Sequence, residues 1–152
     1  MSDHAHLQSR IDEWGVEHFQ ARELTRLSQW GTRDLPPTDI WADIAPALRI
    51  ADAARSALDE PVRVVSGWRP EAYNEEIGGS PTSEHTRFRA LDLQPVDGDQ
   101  MERFRSIVAG IVDHARRVGV DARVIHYDTF VHVDVGAKQW KSRTGLDNRS
   151  AA

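Results

Sequence analysis

Residues 120–136, VDARVIHYDTFVHVDVG, are the stretch that decides the fold expected for this chain. They contain two runs rich in β-branched and aromatic residues, 120–127 and 130–135, with Asp128 and Thr129 between them. Runs of this composition favour β-strands, and so short a connection is typical of a tight turn between antiparallel neighbours. The stretch therefore predicts two antiparallel strands near the end of the domain.

The elements around this pair of strands predict the rest of the architecture. Short apolar runs at 62–65 and 90–93 predict two more strands. Apolar residues at helical spacing predict a helix from Thr38 that is kinked or restarted at Pro46, and a longer helix from Asp99, where Asp99 and Glu102 form a capping-box pattern. Because strands and helices do not alternate regularly, we expect an α+β fold with a small antiparallel sheet flanked by helices.

The domain organisation follows from length and composition. A chain of 152 residues is short enough to be one domain, which we expect to cover residues 18–140. Residues 1–17 are expected to be a loosely ordered N-terminal segment, and residues 141–152 a polar C-terminal tail. The first 16 residues lack the apolar core of a signal peptide, so the sequence assigns no location, and a substrate in the cell wall would be reached by another route such as phage delivery.

Composition excludes several classes of function. The hydrophobic content of 39% with a charged content of 28% is that of an ordinary globular protein, and no apolar run approaches the ~20 residues of a membrane span. The net charge of −5 argues against a nucleic-acid partner, because such binding needs a basic face. The chain has no Cys, which excludes a thiolate nucleophile and every cysteine metal site. Oligomeric state is left open.

Two imidazoles and a carboxylate form a candidate zinc site. His85 and Asp92 lie in SEHTRFRALD, residues 83–92, and His132 lies in the last predicted strand. Three such ligands leave a fourth position for a catalytic water. Strand alternation places His132 and Asp134 on the same face, so the alternative interpretation is a His–Asp hydrogen-bonded pair at the sheet edge.

Arg69 is a candidate substrate-facing residue. It follows the predicted strand at 62–65 and precedes a predicted short helix that begins near Pro70. A guanidinium is suited to grip a carboxylate or to stabilise an oxyanion. The alternative is a surface salt bridge, which would contribute little.

Several motifs in the same order make the chain resemble a known family. It is similar to the zinc D-Ala-D-Ala carboxypeptidases and endopeptidases, the M15-like enzymes that cut bacterial cell-wall peptides and share the fold of the hedgehog amino-terminal domain. The similarity runs from about His18 to Trp140, and Tyr73-Asn74 followed by Gly78-Gly79 and Ser83 looks like the phage and bacterial branch. The residues that carry it are Ser66-Gly67-Trp68-Arg69, Tyr73-Asn74, Gly78-Gly79, Ser83, His85, Ala90, Asp92 and His132 in Phe-Val-His-Val-Asp-Val-Gly.

The resemblance implies roles for individual residues. It implies one Zn²⁺ held by His85, Asp92 and His132, a substrate-facing Arg69, and a second peptide contact from Ser83. The implied activity is hydrolysis of peptidoglycan stem peptides or cross-links by metal-activated water. Carboxypeptidase, endopeptidase and L-alanyl-D-glutamate cleavage are not separated by these residues. The alternatives are an inactive zinc-bearing module that binds the wall or a phage tail, and an α+β domain without metal.

Phe88 departs from the family motif, which has Gly at its position. We expect that the turn between the first two ligands therefore cannot rely on glycine's freedom at positive φ, and that burial of Phe88 fixes the loop instead.

The general base is not assigned by the resemblance. Many relatives keep an acidic residue or a His where this chain has Thr129 and Phe130. Asp134 is the expected base or ligand-orienting residue, because it shares the strand face of His132. The alternatives are Glu84, Asp128 and His126.

Overall fold

A computed structural model describes residues 3–136 of the chain and shows the mixed α+β fold. The α-helices are α1 (Asp3–Glu13), α2 (Ala21–Leu24), α3 (Ala45–Leu58), α4 (Glu71–Glu76) and α5 (Met101–Arg117). The strands are β1 (Arg26–Leu27), β2 (Thr32–Arg33), β3 (Val62–Ser66), β4 (Ala90–Pro95), β5 (Ala122–His126) and β6 (Val131–Val135). Short 3-10 helices span Thr38–Ile44, Glu84–Arg87 and Gly98–Gln100.

Four antiparallel strands form the main sheet in the order β3-β4-β6-β5. The register sets Asp92 on β4 directly opposite His132 on β6, and Ala90 opposite Asp134. Because opposite residues of an antiparallel pair point to the same face, Asp92 and His132 lie side by side. The sheet register itself therefore brings two of the predicted metal ligands together.

The other face of the sheet forms the core with the long helices. Leu91 and Leu93 of β4 and Val133 of β6 are fully buried in one cluster with Leu48 of α3 and Phe104 of α5. Successive side chains of a strand alternate between faces, so Asp92 and His132 project away from this apolar layer. The candidate site thus lies on the sheet face opposite the helices.

Most of the predicted elements are confirmed, including all four strands of the main sheet. At Pro46 the helix does restart, because the 3-10 helix Thr38–Ile44 gives way to α3 with the proline in its first turn. The predicted capping box of Asp99 and Glu102 is wrong. Residues 98–100 form a 3-10 turn, and the Asp97 side chain caps it by accepting from the Asp99 amide at 3.0 Å.

The loosely ordered N-terminal segment expected from the sequence is replaced by helix α1 over residues 3–13. Leu7 and Ile11, one turn apart, are fully buried in the main core cluster. Two apolar residues among polar neighbours give too narrow a stripe for a strong helical pattern, and tertiary packing stabilises the helix instead. The predicted tail at 141–152 lies outside the described residues. Between residues 3 and 136, no helix combines the length and apolarity that crossing a membrane requires.

Candidate metal centre and cleft

His85, Asp92 and His132 converge on one point. Each offers a ligand atom that lies within 4.8 Å of the other two, and all three residues are buried. Asp92 is central: its Oδ1 lies 2.8 Å from His132 Nδ1 and its Oδ2 lies 3.2 Å from His85 Nε2. The structure therefore brings the three residues of the sequence prediction together in a group that could hold a metal ion.

The 3-10 helix Glu84–Arg87 delivers His85 to this group. Ser83 precedes the helix, and its hydroxyl accepts a hydrogen bond from the His85 amide at 3.2 Å. Asp92 and His132 come from the paired strands β4 and β6. The site is thus built from one short helix and the two central strands of the sheet.

The second nitrogen of each imidazole has a hydrogen-bond acceptor. His85 Nδ1 lies 2.8 Å from the Gly67 carbonyl oxygen, and His132 Nε2 lies 2.7 Å from Asp134 Oδ2. A carbonyl and a carboxylate can only accept, so these ring nitrogens carry the hydrogen. This leaves His85 Nε2 and His132 Nδ1, the two nitrogens that face Asp92, as the ring atoms that could bind a metal.

A buried atom without a hydrogen bond supports a metal at this point. His85 Nε2 is inaccessible to solvent and makes no hydrogen bond within residues 3–136; its approach to Asp92 lacks hydrogen-bond geometry. A buried polar atom left in this way is costly unless a ligand satisfies it. Two imidazole nitrogens and a carboxylate are also a ligand set that zinc prefers, so the residues present fit such an ion.

In the metal-free protein, a protonated imidazole balances the carboxylates of this group. Burial would raise the pKa of Asp92, but the hydrogen bond from His132 and the closeness of the His85 ring outweigh it and hold that pKa well below its usual range. Burial opposes a charged imidazole at His132, yet its hydrogen bonds to Asp134 and Asp92 raise the pKa of His132 to about 9. At neutral pH the carboxylates are ionised, and in the metal-free protein the His132 ring carries the positive charge between them.

The Gly67 carbonyl is placed by a close approach between β3 and α2. The Trp68 amide donates to the Leu24 carbonyl oxygen at 2.8 Å, and a Cβ added at Gly67 would overlap that same carbonyl group. Helix α2 is tied in turn to α1, because the Gln8 side chain accepts from the Ala21 amide at 2.7 Å. Only glycine permits the contact that brings its carbonyl to His85.

Phe88 combines a positive φ with complete burial. Its φ is 55° and ψ 50°, and its side chain is fully buried with an edge-on contact to Trp68 at 6.3 Å between ring centroids. The expectation of burial is confirmed, and the turn adopts a positive φ without a glycine. The left-handed conformation costs an L-residue about 1–2 kcal/mol. Burying the phenyl ring contributes about 1.5–3 kcal/mol, which is enough to offset it.

A cleft of about 460 Å³ opens above the three ligand residues. One wall is polar and comes from the loop before the 3-10 helix. The opposite wall comes from the β5–β6 hairpin, where Tyr127 and Phe130 stack with ring centroids 4.7 Å apart. A larger cavity of about 930 Å³ lies between α1 and the Pro36-Pro37 segment and contains none of the metal group. We place the chemistry in the smaller cleft, because only it contains the convergent ligands.

Arg69 lies in this cleft and is held at three points. Its guanidinium donates to Ser66 Oγ at 2.9 Å, to Asn74 Oδ1 at 3.3 Å and to Asp92 Oδ2 at 3.3 Å. The side chain is only 15% exposed, so this ion pair is not the surface salt bridge considered as the alternative. Burial lowers the pKa of Arg69, partly opposed by Asp92, but a guanidinium stays protonated in proteins.

The four candidate bases occupy different positions. Asp134 is fully buried beyond His132, outside the cleft lining, and takes hydrogen bonds from Arg123; these and the His132 bond lower its pKa against the effect of burial. Glu84 lines the cleft and is buried. Asp128 and His126 are exposed and lie outside the lining. Of the four, Glu84 is the carboxylate that faces the cleft.

Two residues at the site were not singled out as functional from the sequence. Asn74 binds Arg69 through Oδ1 and donates to the Ser80 carbonyl at 2.8 Å, which joins the arginine to the cleft rim. Arg123 lines the cleft from β5. Alternation along residues 120–127 puts Arg123 on the face of Tyr127, but only the strand register shows that this face meets the metal group.

Comparison with known proteins identifies one family. The family model for peptidase M15 matches residues 17–134, which is most of the chain and includes every residue of the metal group. No match was found among curated proteins or among solved structures.

Proposed function

This chain belongs to the peptidase M15 family, and we propose that it is a zinc-dependent enzyme that hydrolyses peptide bonds in peptidoglycan stem peptides or cross-links. The observation that carries the proposal is the convergence of His85 Nε2, Asp92 and His132 Nδ1, with the other nitrogen of each ring already hydrogen-bonded. The nitrogens that face Asp92 are then the ones free to bind a metal, once His132 has released its second proton.

His85, Asp92 and His132 would hold one zinc ion. Zinc in such a site supplies a Lewis acid and lowers the pKa of water to about 7, which makes a nucleophile available at neutral pH. Cysteine and serine nucleophiles are not needed for this chemistry.

Arg69 would bind the scissile carbonyl oxygen and stabilise the charge that develops on it. Its three anchors, Ser66, Asn74 and Asp92, fix the guanidinium before substrate arrives. Donors fixed in advance stabilise a transition state without a cost of reorganisation. Ser83 accepts from the His85 amide, so its own hydroxyl hydrogen remains to donate to the peptide.

Glu84 and Asp134 would divide the roles of base and ligand orientation. We assign proton transfer to Glu84, because its buried carboxylate lines the cleft and its Oε2 makes no hydrogen bond within residues 3–136. Arg87 pairs with the other oxygen at 3.1 Å. Asp134 would orient His132 from behind, since it contacts Nε2 while Nδ1 faces Asp92.

A second candidate function is an inactive zinc-bearing module that binds the wall or a phage tail. The observation that favours it is the engagement of Glu84 by Arg87 at 3.1 Å and by Arg89 at 3.7 Å, which would hold its carboxylate in ion pairs instead of leaving it for proton transfer. The cleft would then bind a stem peptide without cutting it.

Hydrolysis of purified muropeptides separates these candidates. We expect the zinc-loaded protein to release fragments that mass spectrometry assigns to one peptide bond, and His132→Ala to abolish release. His126→Ala is the matched control, because this histidine is exposed and outside the cleft. Tight zinc binding without cleavage of any muropeptide would support the binding module instead.

A further inference from the structure

We propose that Arg123 binds a carboxylate of the peptide substrate, within about two residues of the bond that is cut. The inference rests on the proposed peptidase function and narrows its substrate to peptides with a free carboxylate near that bond.

Within the described residues 3–136, the Arg123 guanidinium uses one edge for its hydrogen bonds. Nε and Nη2 both donate to Asp134 Oδ2, at 3.0 and 2.7 Å. A guanidinium carries five N–H groups, so the two on Nη1 and the second on Nη2 remain. They make no hydrogen bond to any group between residues 3 and 136. These donors form the end of the fork, which matches the two oxygens of a carboxylate.

This end of the guanidinium is held in place at the wall of the cleft. Asp134, which fixes the other edge, is fully buried and is itself bonded to His132. The Arg123 side chain is nevertheless 55% exposed and lines the cleft. A ligand would therefore meet an accessible cation that has already lost most of its freedom, which reduces the entropy lost on binding.

The strand register places Arg123 at a defined distance from the metal group. Ile125 lies opposite His132 and Arg123 lies opposite Asp134, so all four side chains share one face. Two residues along a strand span about 6.6 Å. An extended peptide covers about the same distance in two residues, which sets the expected position of the carboxylate.

The pairing of charged groups in the cleft also leaves Arg123 available to an anionic group. The chain as a whole carries a net charge of −5. The cleft lining carries two guanidiniums, those of Arg69 and Arg123, and two carboxylates, those of Glu84 and Asp92. Both carboxylates are paired with other arginines, Asp92 with Arg69 and Glu84 with Arg87 and Arg89. A substrate carboxylate would pair with Arg123, because Arg is the side chain that best recognises a planar carboxylate.

Amidated substrates test the contact. The zinc-loaded protein is given the pentapeptide L-Ala-γ-D-Glu-L-Lys-D-Ala-D-Ala, its D-isoglutamine analogue and its C-terminal amide. We expect amidation of one carboxylate to raise KM of the wild type about 10–100-fold, the usual loss for a charge-assisted hydrogen bond. In Arg123→Gln the same amidation should change KM less than about threefold. Arg117→Gln, which loses an exposed ion pair with Asp113, should behave as the wild type.

The outcomes separate this inference from the proposed function. If the variant loses activity equally on free and amidated peptides, Arg123 only supports Asp134 and the inference is wrong. Arg123→Lys, which keeps a cation beside Asp134, guards against misfolding and should lose only part of the preference. If no peptide is cleaved, the affinities of the same peptides, measured by calorimetry, still test the contact with Arg123. A preference for the free carboxylate that Arg123→Gln removes supports the contact without hydrolysis, and equal binding of all three peptides overturns it.

Discussion

At the scale of the residue, Phe88 shows how burial outweighs backbone preference. A fully buried phenyl ring holds an L-residue at φ 55° in the turn between His85 and Asp92. Gly would adopt this conformation without strain, but it would leave a cavity next to Trp68. The loop geometry and the core are therefore fixed by the same side chain.

Substitutions of Phe88 should reverse the usual order of Ala and Gly. We expect Phe88→Ala to lower the free energy of unfolding by about 3–5 kcal/mol, as for other buried aromatic residues. Phe88→Gly should cost about 1–2 kcal/mol less, because it relieves the positive φ. Urea denaturation of the metal-free proteins measures both values. An alanine variant more stable than the glycine variant would contradict the conformation of this turn.

Asp134 provides a second prediction at the residue scale. Asp134→Asn keeps the shape but removes the charge that binds His132 and Arg123. If Asp134 orients His132, this substitution should lower zinc affinity about 10–100-fold. Turnover at saturating zinc should stay near that of the wild type. Competition with a chelator and steady-state kinetics measure the two quantities. A loss of about 10²–10⁴ in turnover with zinc bound would instead identify Asp134 as the base.

At the scale of the element, the site depends on how strands and short helices meet. The composition of β4 and β6 predicts both strands, and the residue types of His85, Asp92 and His132 predict their chemistry. The register that pairs Asp92 with His132 could not be predicted, because it depends on hydrogen bonds between distant segments. The contact of Gly67 with α2 could not be predicted either, because it also joins distant segments of the chain.

Substitution at the junction of β3 and α2 should weaken zinc binding by the metal group. Gly67→Ala forces the strand end away from Leu24 and so displaces the acceptor of His85 Nδ1. We expect zinc affinity to fall about tenfold or more, as when a hydrogen-bond partner of a ligand is lost. Gly98→Ala is the control, because a Cβ there meets only open space. Equal zinc affinity in both variants, measured by competition, would show that the junction does not position His85.

At the scale of the whole molecule, one core joins the N-terminal helix to the sheet that carries the site. Leu7 and Ile11 of α1 belong to the same buried cluster as the β4 and β6 residues beneath Asp92 and His132. The sequence could not reveal this contact, since the residues that bury Leu7 lie on other elements of the chain. The first helix is therefore part of the domain.

Shortening the Leu7 side chain tests whether α1 is packed on the core. Leu7→Ala should lower the free energy of unfolding by about 2–5 kcal/mol, because the side chain is fully buried. Val118→Ala, at a position that is 63% exposed, should change it by less than about 0.5 kcal/mol. Thermal and urea denaturation report both. Similar small effects for the two variants would mean that α1 is not packed on the core.

The central claim is that His85, Asp92 and His132 hold one catalytic zinc ion, and anomalous diffraction at the zinc edge tests it most directly. Crystals of the zinc-loaded protein should show one anomalous peak bonded to His85 Nε2, an Asp92 carboxylate oxygen and His132 Nδ1. The Gly67 carbonyl and Asp134 should keep their hydrogen bonds to the opposite ring nitrogens. The absence of a peak between these residues, with no zinc in elemental analysis of the same protein, would contradict the account.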